Sequence, residues 1–375
     1  MKIRKSSVMI IILLLMLFEI FLFPVKFYNY ASYVLALVLF IYVIKIGGQF
    51  RSIWYVFLFP IAILLSTYTN YGYGSRILFF AMIYGLMIVD VFYIIADYIK
   101  KESYSRLLDI LKSFFLSIMI LNDMFCILGI KFYGKYYLIG SKFRVVYLHC
   151  LVIVLLYSKI RGLRKVKLSG LAIYSIIISQ IVDCSTGVVA VLVVWGMLMI
   201  KDILIERISG VKFIAILWGG ITLIYVSLNT VLQIPSIQYF ITKILGEDSS
   251  LTGRTRIYAY LTEIILKNPI WGYGHQNTIV EKIVGFGNAQ NGTIKFLIDY
   301  GAIGLCAFIA LVVISFYRLG KTSRSVKEKA YSFVVLITTL FICSIVEVSF
   351  NAYMYLALAV IAGLSINATK EGSDE

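Results

Sequence analysis

The chain has 375 residues, 61% of them hydrophobic and only 14% charged, and its 35 Lys and Arg against 19 Asp and Glu give a net charge of +16. Ordinary soluble domains are about half apolar and about a quarter charged, so a mean hydropathy of +0.92 excludes a water-soluble core, although the length alone would suit two soluble domains. The basic residues fall in short clusters between apolar runs, as membrane topology signals do, which argues against nucleic acid as a partner.

The chain therefore reads as a single all-α domain over 1–375, a polytopic transmembrane bundle of about twelve spans with one large loop. In chain order the apolar runs lie near 8–23, 30–46, 53–68, 77–96, 107–130, 145–158, 168–182, 186–200, 213–233, 297–317, 331–348 and 352–367. Met1 to Lys5 is basic, and the run after it resembles a secretory signal. It lacks an A-x-A-like cleavage site and further runs follow, so a retained first helix is expected. Runs 168–182 and 186–200 are separated only by Asp183, Cys184 and Ser185, which fits either a tight hairpin or one broken segment. Cys126, Cys150, Cys184, Cys306 and Cys343 are scattered singly with no CxxC pair, and read as small core residues rather than metal ligands.

Lys and Arg concentrate in cytoplasmic connections. If the N-terminus is inside and every run crosses, 23 of the 35 basic residues lie inside, both termini are cytoplasmic and the stretch 234–295 is an extracytoplasmic loop. Within that loop, Ser236 to Leu245 has a rough helical period suited to a membrane surface. Arg254 to Lys267 places Ile257, Tyr258, Leu261, Ile264 and Ile265 at i, i+3, i+4 spacing, which predicts an amphipathic helix. Asn268-Pro269 ends it and Gly272-Tyr273-Gly274 makes a turn.

Arg254 and Arg256 open this predicted helix, where basic side chains oppose the dipole unless an anion is near. Free helix amides with guanidinium groups suit a phosphate or pyrophosphate; lipid headgroups are the alternative partner. Lys131, Lys135, Lys142 and Arg144 form a second outward cationic cluster among Phe132, Tyr133, Tyr136 and Tyr137. It fits an anionic lipid-linked substrate or an interfacial aromatic belt, and Tyr68, Tyr71, Tyr73 and Arg76 read the same way at another outward edge. Of the two histidines, His149 lies inside an apolar run, where a hydrogen-bonded structural role is expected; His275, after the loop turn, has the chemistry of a base near neutral pH. No P-loop, GxGxxG, HExxH or GxSxG occurs, so soluble-type nucleotide chemistry is not expected.

The order Thr252-Gly253-Arg254, Tyr258, Lys267-Asn268-Pro269-Ile270-Trp271-Gly272-Tyr273-Gly274, Ala289-Gln290-Asn291 and Tyr300-Gly301-Ala302-Ile303-Gly304-Leu305 resembles the O-antigen ligase and polymerase superfamily. Asp183-Cys184-Ser185-Thr186-Gly187 and Phe143-Arg144 resemble two further elements of that family. The likeness covers about 140 to 305; the first 130 residues share only hydropathy. It implies a metal-independent glycosyltransferase of the bacterial cytoplasmic membrane, without cofactor, that takes undecaprenyl-pyrophosphate-linked sugars. A chain-length regulator and a flippase of the same pathway would be its partners. Arg254 falls on the family's pyrophosphate-holding arginine, with Arg256, Arg144 and Asn291 as substrate-binding candidates. Gln290 stands where the family carries a histidine that activates the acceptor hydroxyl. An amide orients a hydroxyl but does not take its proton near pH 7, so His275, Glu263, Glu281 or Asp299 would supply the base, or donor activation by the arginines would suffice.

The expected activity is polymerisation of a surface polysaccharide, as by polymerases of the Wzy type. A ligase acting on another acceptor, and a flippase or transporter of lipid-linked oligosaccharide, are the rivals.

Overall fold

A computed structural model describes residues 5–22, 24–70, 75–158, 164–226, 234–239, 243, 254–285 and 287–371. Among these the chain is helical, with isolated bridges Phe132–Tyr136 and Tyr137–Gly140 in place of strands. The helices are α1 (Lys5–Leu17), α2 (Val25–Ile46), α3 (Leu58–Thr69) after the 3-10 segment Gly47–Phe57, α4 (Ser75–Lys101), α5 (Tyr104–Ile127), α6 (Lys142–Tyr157), α7 (Arg164–Ile181), α8 (Ser185–Met199), α9 (Lys201–Ile208) and α10 (Val211–Val226). After them come three short elements, α11 (Pro235–Tyr239), α12 (Arg254–Lys267) and α13 (Ile279–Val284). The long α14 (Gly292–Gly320), α15 (Arg324–Cys343) and α16 (Ala352–Glu371) complete the order.

Among the described residues every apolar run of the sequence overlaps a helix, but the runs are not equal. Among the described residues five helical stretches are long and apolar enough to cross a membrane: Val25–Ile46, Ser52–Thr69, Arg76–Lys101, Tyr104–Ile127 and Gly292–Gly320. The pair α8 and α9 adds a sixth if it is one span, although the two are bent by 98°. The count falls short of twelve for a physical reason. Helices such as α7 and α15 begin in charged turns, Arg164-Lys165 and Arg324 to Lys329, and others, such as α1, are short.

Two faces of the bundle show why the composition is so apolar. Inside, α6 and α16 are buried on nearly every side and pack with α4 and α15, as a helix that is hydrophobic all round must be. Outside, Val34 (59% exposed), Ile44 (65%), Ile216 (74%) and Leu223 (68%) present apolar surface, which suits hydrocarbon better than water. Runs 168–182 and 186–200 form the hairpin, not one broken helix. Asp183 turns it at φ 53°, and Trp195 donates to Ser169 Oγ across the pair at 3.0 Å. Gly187 lets α8 approach α6, since a Cβ there would stand 2.4 Å from Val146.

The buried polar groups are stitched into this apolar interior. His149 Nε2 lies 3.1 Å from Asp123 Oδ1, and its Nδ1 lies 3.0 Å from Ser175 Oγ. Ser175 gives its one hydroxyl hydrogen to the Leu171 carbonyl, so Nδ1–H donates to Ser175, and Nε2 meets Asp123. Tyr174 closes the network by donating to Asp123 Oδ2 at 2.8 Å. The structural role expected of His149 fits this closed arrangement.

Candidate functional site

The glycines of the Lys267–Gly274 and Tyr300–Gly304 segments exist because two backbones meet there. Tyr273 N donates to the Ile298 carbonyl at 2.8 Å, Gly274 N to that of Asp299 at 2.7 Å, and Ala302 N to that of Pro269 at 2.8 Å. A Cβ on Gly301 would sit 2.1 Å from the Ile270 carbonyl oxygen, and one on Gly272 would sit 2.5 Å from Gly301 N. Gly301 itself has φ 64° and ψ −168° and breaks the helical path of α14, a conformation open essentially to glycine. Two segments that are separate in sequence are thus one structural unit.

That unit docks on the end of α3. Ser66 donates to the carbonyls of Trp271 and Asp299, Asn70 donates to that of Gly272, and Thr67 Oγ1 accepts from His275 N at 3.1 Å. α12 lies on the same support, with Leu261 and Ile264 buried in a small cluster with Ala289, Ile294 and Ile298. The predicted amphipathic helix therefore exists over the expected residues and buries its apolar face.

A cleft of about 200 Å³ opens here, lined among others by Thr67, Asn70, His275, Asn277, Thr278 and Lys282. His275 Nδ1 lies 2.9 Å from the Tyr300 hydroxyl, and its ring lies nearly parallel to that of Tyr84, with centroids 5.0 Å apart. Burial, with a smaller contribution from the Lys295 charge, lowers its pKa to about 4. The imidazole is therefore neutral at physiological pH. Nε2 has no hydrogen-bond partner among the described residues, and the tautomer that donates Nδ1–H to the Tyr300 oxygen leaves a lone pair on Nε2, whereas the other, with Tyr300 O–H donating to Nδ1, puts a proton there.

The other candidate bases are placed differently. Asp299 is buried, with Lys295 at 2.5 and 2.6 Å from its two oxygens and Asn277 at 2.7 Å. Glu263 is exposed and paired with Lys267 at 2.8 Å, and Glu281 is exposed in the first turn of α13. Gln290 sits in left-handed backbone at φ 50°, its N–H held by Asn288 Oδ1 at 2.8 Å.

Asn291 caps α14: its Oδ1 accepts from Ile294 N at 2.9 Å and its Nδ2 donates to the Ile345 carbonyl at 3.0 Å. It is 2% exposed, which suits fixing the helix start better than touching a substrate. Arg144 pairs with Glu19 and lines a different, smaller cleft with Phe18, Asn351 and Tyr353. Arg254 and Arg256 occupy the first and third positions of α12; their side chains lie outside the described residues, as do Leu251 to Gly253 and half of the Ser236–Leu245 stretch.

The residues that sequence reasoning passed over are Thr67, Asn70, Tyr84 and Asn277. A polar Ser66-Thr67-Tyr68-Thr69-Asn70 string closing an apolar run was the available signal for the first two. Neither the protein-family models nor the curated proteins give a match to this chain.

Proposed function

We propose that this chain is a membrane glycosyltransferase that polymerises a surface polysaccharide. It would join repeat units carried on undecaprenyl pyrophosphate at the outer face of a bacterial cytoplasmic membrane. The reading takes the apolar helices as twelve crossings with both termini cytoplasmic. The loop, the Gly272–Gly301 unit and the His275 cleft then share the outer end of the bundle. The observation that carries the reading is the cleft: motif segments resembling the ligase and polymerase superfamily converge on a neutral histidine with a free ring nitrogen.

In the reaction an acceptor sugar hydroxyl attacks the anomeric carbon of the donor. The new glycosidic C–O bond forms as the bond to pyrophosphate breaks, the electron pair leaves with the pyrophosphate oxygen, and the hydroxyl proton passes to His275 Nε2. The positive potential assigned to the leaving group is that of Arg254, Arg256 and the first-turn amides at the start of α12. Gln290 orients a hydroxyl, and Asn291 fixes the start of α14 beside it. An arriving pyrophosphate favours imidazolium, which raises the basicity of His275 when it is needed. A flippase and a chain-length regulator of the same pathway are the expected partners.

The test is in-vitro extension of a lipid-linked repeat unit by the purified chain. Removing one preorganised charge donor lowers such rates by about 10²–10³, and Arg254→Ala is expected to do so. Full activity in Arg254→Ala contradicts the reading, and glycan moved to a different acceptor identifies a ligase instead.

A transport reading has its own observation. Asp90 is fully buried in α4 with neither carboxylate oxygen hydrogen-bonded among the described residues, and Asp123 and His149 lie buried in α5 and α6. Ionisable groups inside spanning helices are typical of proton-coupled pathways. Movement of labelled lipid-linked sugar across proteoliposomes with no bond formed would select it.

A further inference from the structure

A second cleft, of about 260 Å³, adjoins the first and shares Gln276 with it. Its walls include Lys26, Asn29, Tyr33, Arg76 and Phe80, and no carboxylate lines it. Lys26 and Arg76 come from the first turns of α2 and α4. Neither forms an ion pair among the described residues; Glu19, whose charge is felt at Tyr33, is held by Arg144. Two like charges facing one cleft repel each other, and cations in the first turn of a helix also oppose its dipole. Both penalties are relieved by one anion. Asn29 and Gln276 add amide donors of the kind that complete an oxyanion site.

The apolar surroundings identify what the anion is attached to. Arg76 lies over the Phe80 ring at 5.4 Å, and Tyr33 packs on Phe80 with centroids 5.3 Å apart. From Tyr30 at the cleft, α2 continues an exposed apolar face through Val34 (59% exposed), Val38 (50%) and Ile41 (58%), residues three or four apart that share one side of the helix. A free inorganic anion has no use for such a face. A hydrocarbon chain does.

We infer that the Lys26–Arg76 cleft binds the phosphate headgroup of a membrane-anchored lipid, whose apolar chain lies along the exposed face of α2. The occupant is an ordinary anionic phospholipid, and a pyrophosphate-linked isoprenoid is the rival that the test separates from it. The site stands apart from glycan chemistry, because binding is read without turnover.

The test uses the full chain in nanodiscs of phosphatidylcholine, with farnesyl pyrophosphate as the probe. Lys26→Gln with Arg76→Gln is expected to weaken binding at least tenfold, about the effect of losing one charge-assisted contact. Arg76→Lys with Lys26 intact should keep most of the affinity, and Lys321→Gln, at α14's far end, should leave it unchanged. Phosphatidylglycerol added to the discs should compete with the probe, and absence of competition would overturn the assignment to an ordinary phospholipid. Wild-type affinity in the double variant overturns the inference, as does inorganic pyrophosphate binding as tightly as the farnesyl ester. Failure of polymerisation with binding intact would count against the proposed reaction alone.

Discussion

The two histidines show how surroundings divide one side chain between two uses. His149 is 1% exposed, and both of its ring nitrogens are engaged, by Asp123 and Ser175 on neighbouring helices. His275 has one nitrogen held by Tyr300 and the other free among the described residues, and it lines a cleft. A histidine whose protons are all assigned to the fold is a fastener. One with a free nitrogen beside a cavity can handle a substrate's proton. The comparison also explains why the sharper motif, the Gly272–Gly301 meeting, lies beneath His275: a base is useful only if its backbone does not wander.

The difference can be broken most severely at His275. If it serves as the base, His275→Ala should lower polymerisation by about 10²–10⁴, the usual value of general-base help, while the unfolding temperature changes little. Product ladders and thermal unfolding in detergent measure the two separately. His149→Ala should do the reverse. It leaves Asp123 buried without its partner, and a broken buried pair costs about 3–5 kcal/mol; His149→Gln, which keeps a donor, should recover part of that stability.

A pH series sharpens the contrast further. Because the His275 pKa is lowered to about 4, the acid limb of kcat/KM should fall near pH 4, and the limb of kcat should lie higher because the bound anion favours imidazolium. The linkage sign follows from the same burial. Between about 4 and the ordinary value near 6.5 the unfolded chain binds more protons than the folded one, so stability from neutral His275 is complete above that window and fades as pH falls through it. Thermal unfolding across this range reads the effect. Gln290→Ala should have the smallest consequence, a loss of a few-fold in rate, because an amide orients a hydroxyl without taking its proton. A loss as large as that of His275→Ala would transfer the central role to Gln290.

Much of the bundle was legible because hydrocarbon demands long apolar runs, and among the described residues each run from 8–23 to 352–367 overlaps a helix. The α12 boundaries were legible for a similar reason: Leu261 and Ile264 mark a buried stripe, and Asn268-Pro269 marks its end. The 98° bend between α8 and α9 was legible only as the end of the run at 200, before Lys201-Asp202; its angle is a tertiary fact. In the site, Gly272 and Gly301 were visible as motif letters, but their meeting is a tertiary fact. Thr67, Asn70 and Tyr84 reach His275 and its turn from helices some 200 residues away in sequence. Asn291 reads as a substrate contact in the sequence, and in the fold its oxygen caps α14 while its amide donates to the Ile345 carbonyl beyond α15. Local spacing cannot distinguish a cap from a ligand-binding amide when both need the same atoms.

The central claim is bond formation at the expense of a lipid pyrophosphate, so stoichiometry tests it most directly. Purified wild-type chain in liposomes, given one radiolabelled lipid-linked repeat unit, should produce a ladder of longer lipid-linked glycans and release one undecaprenyl pyrophosphate for each new glycosidic bond. Label that crosses the bilayer unextended, or a substrate pool that stays monomeric with no pyrophosphate lipid released, would contradict it.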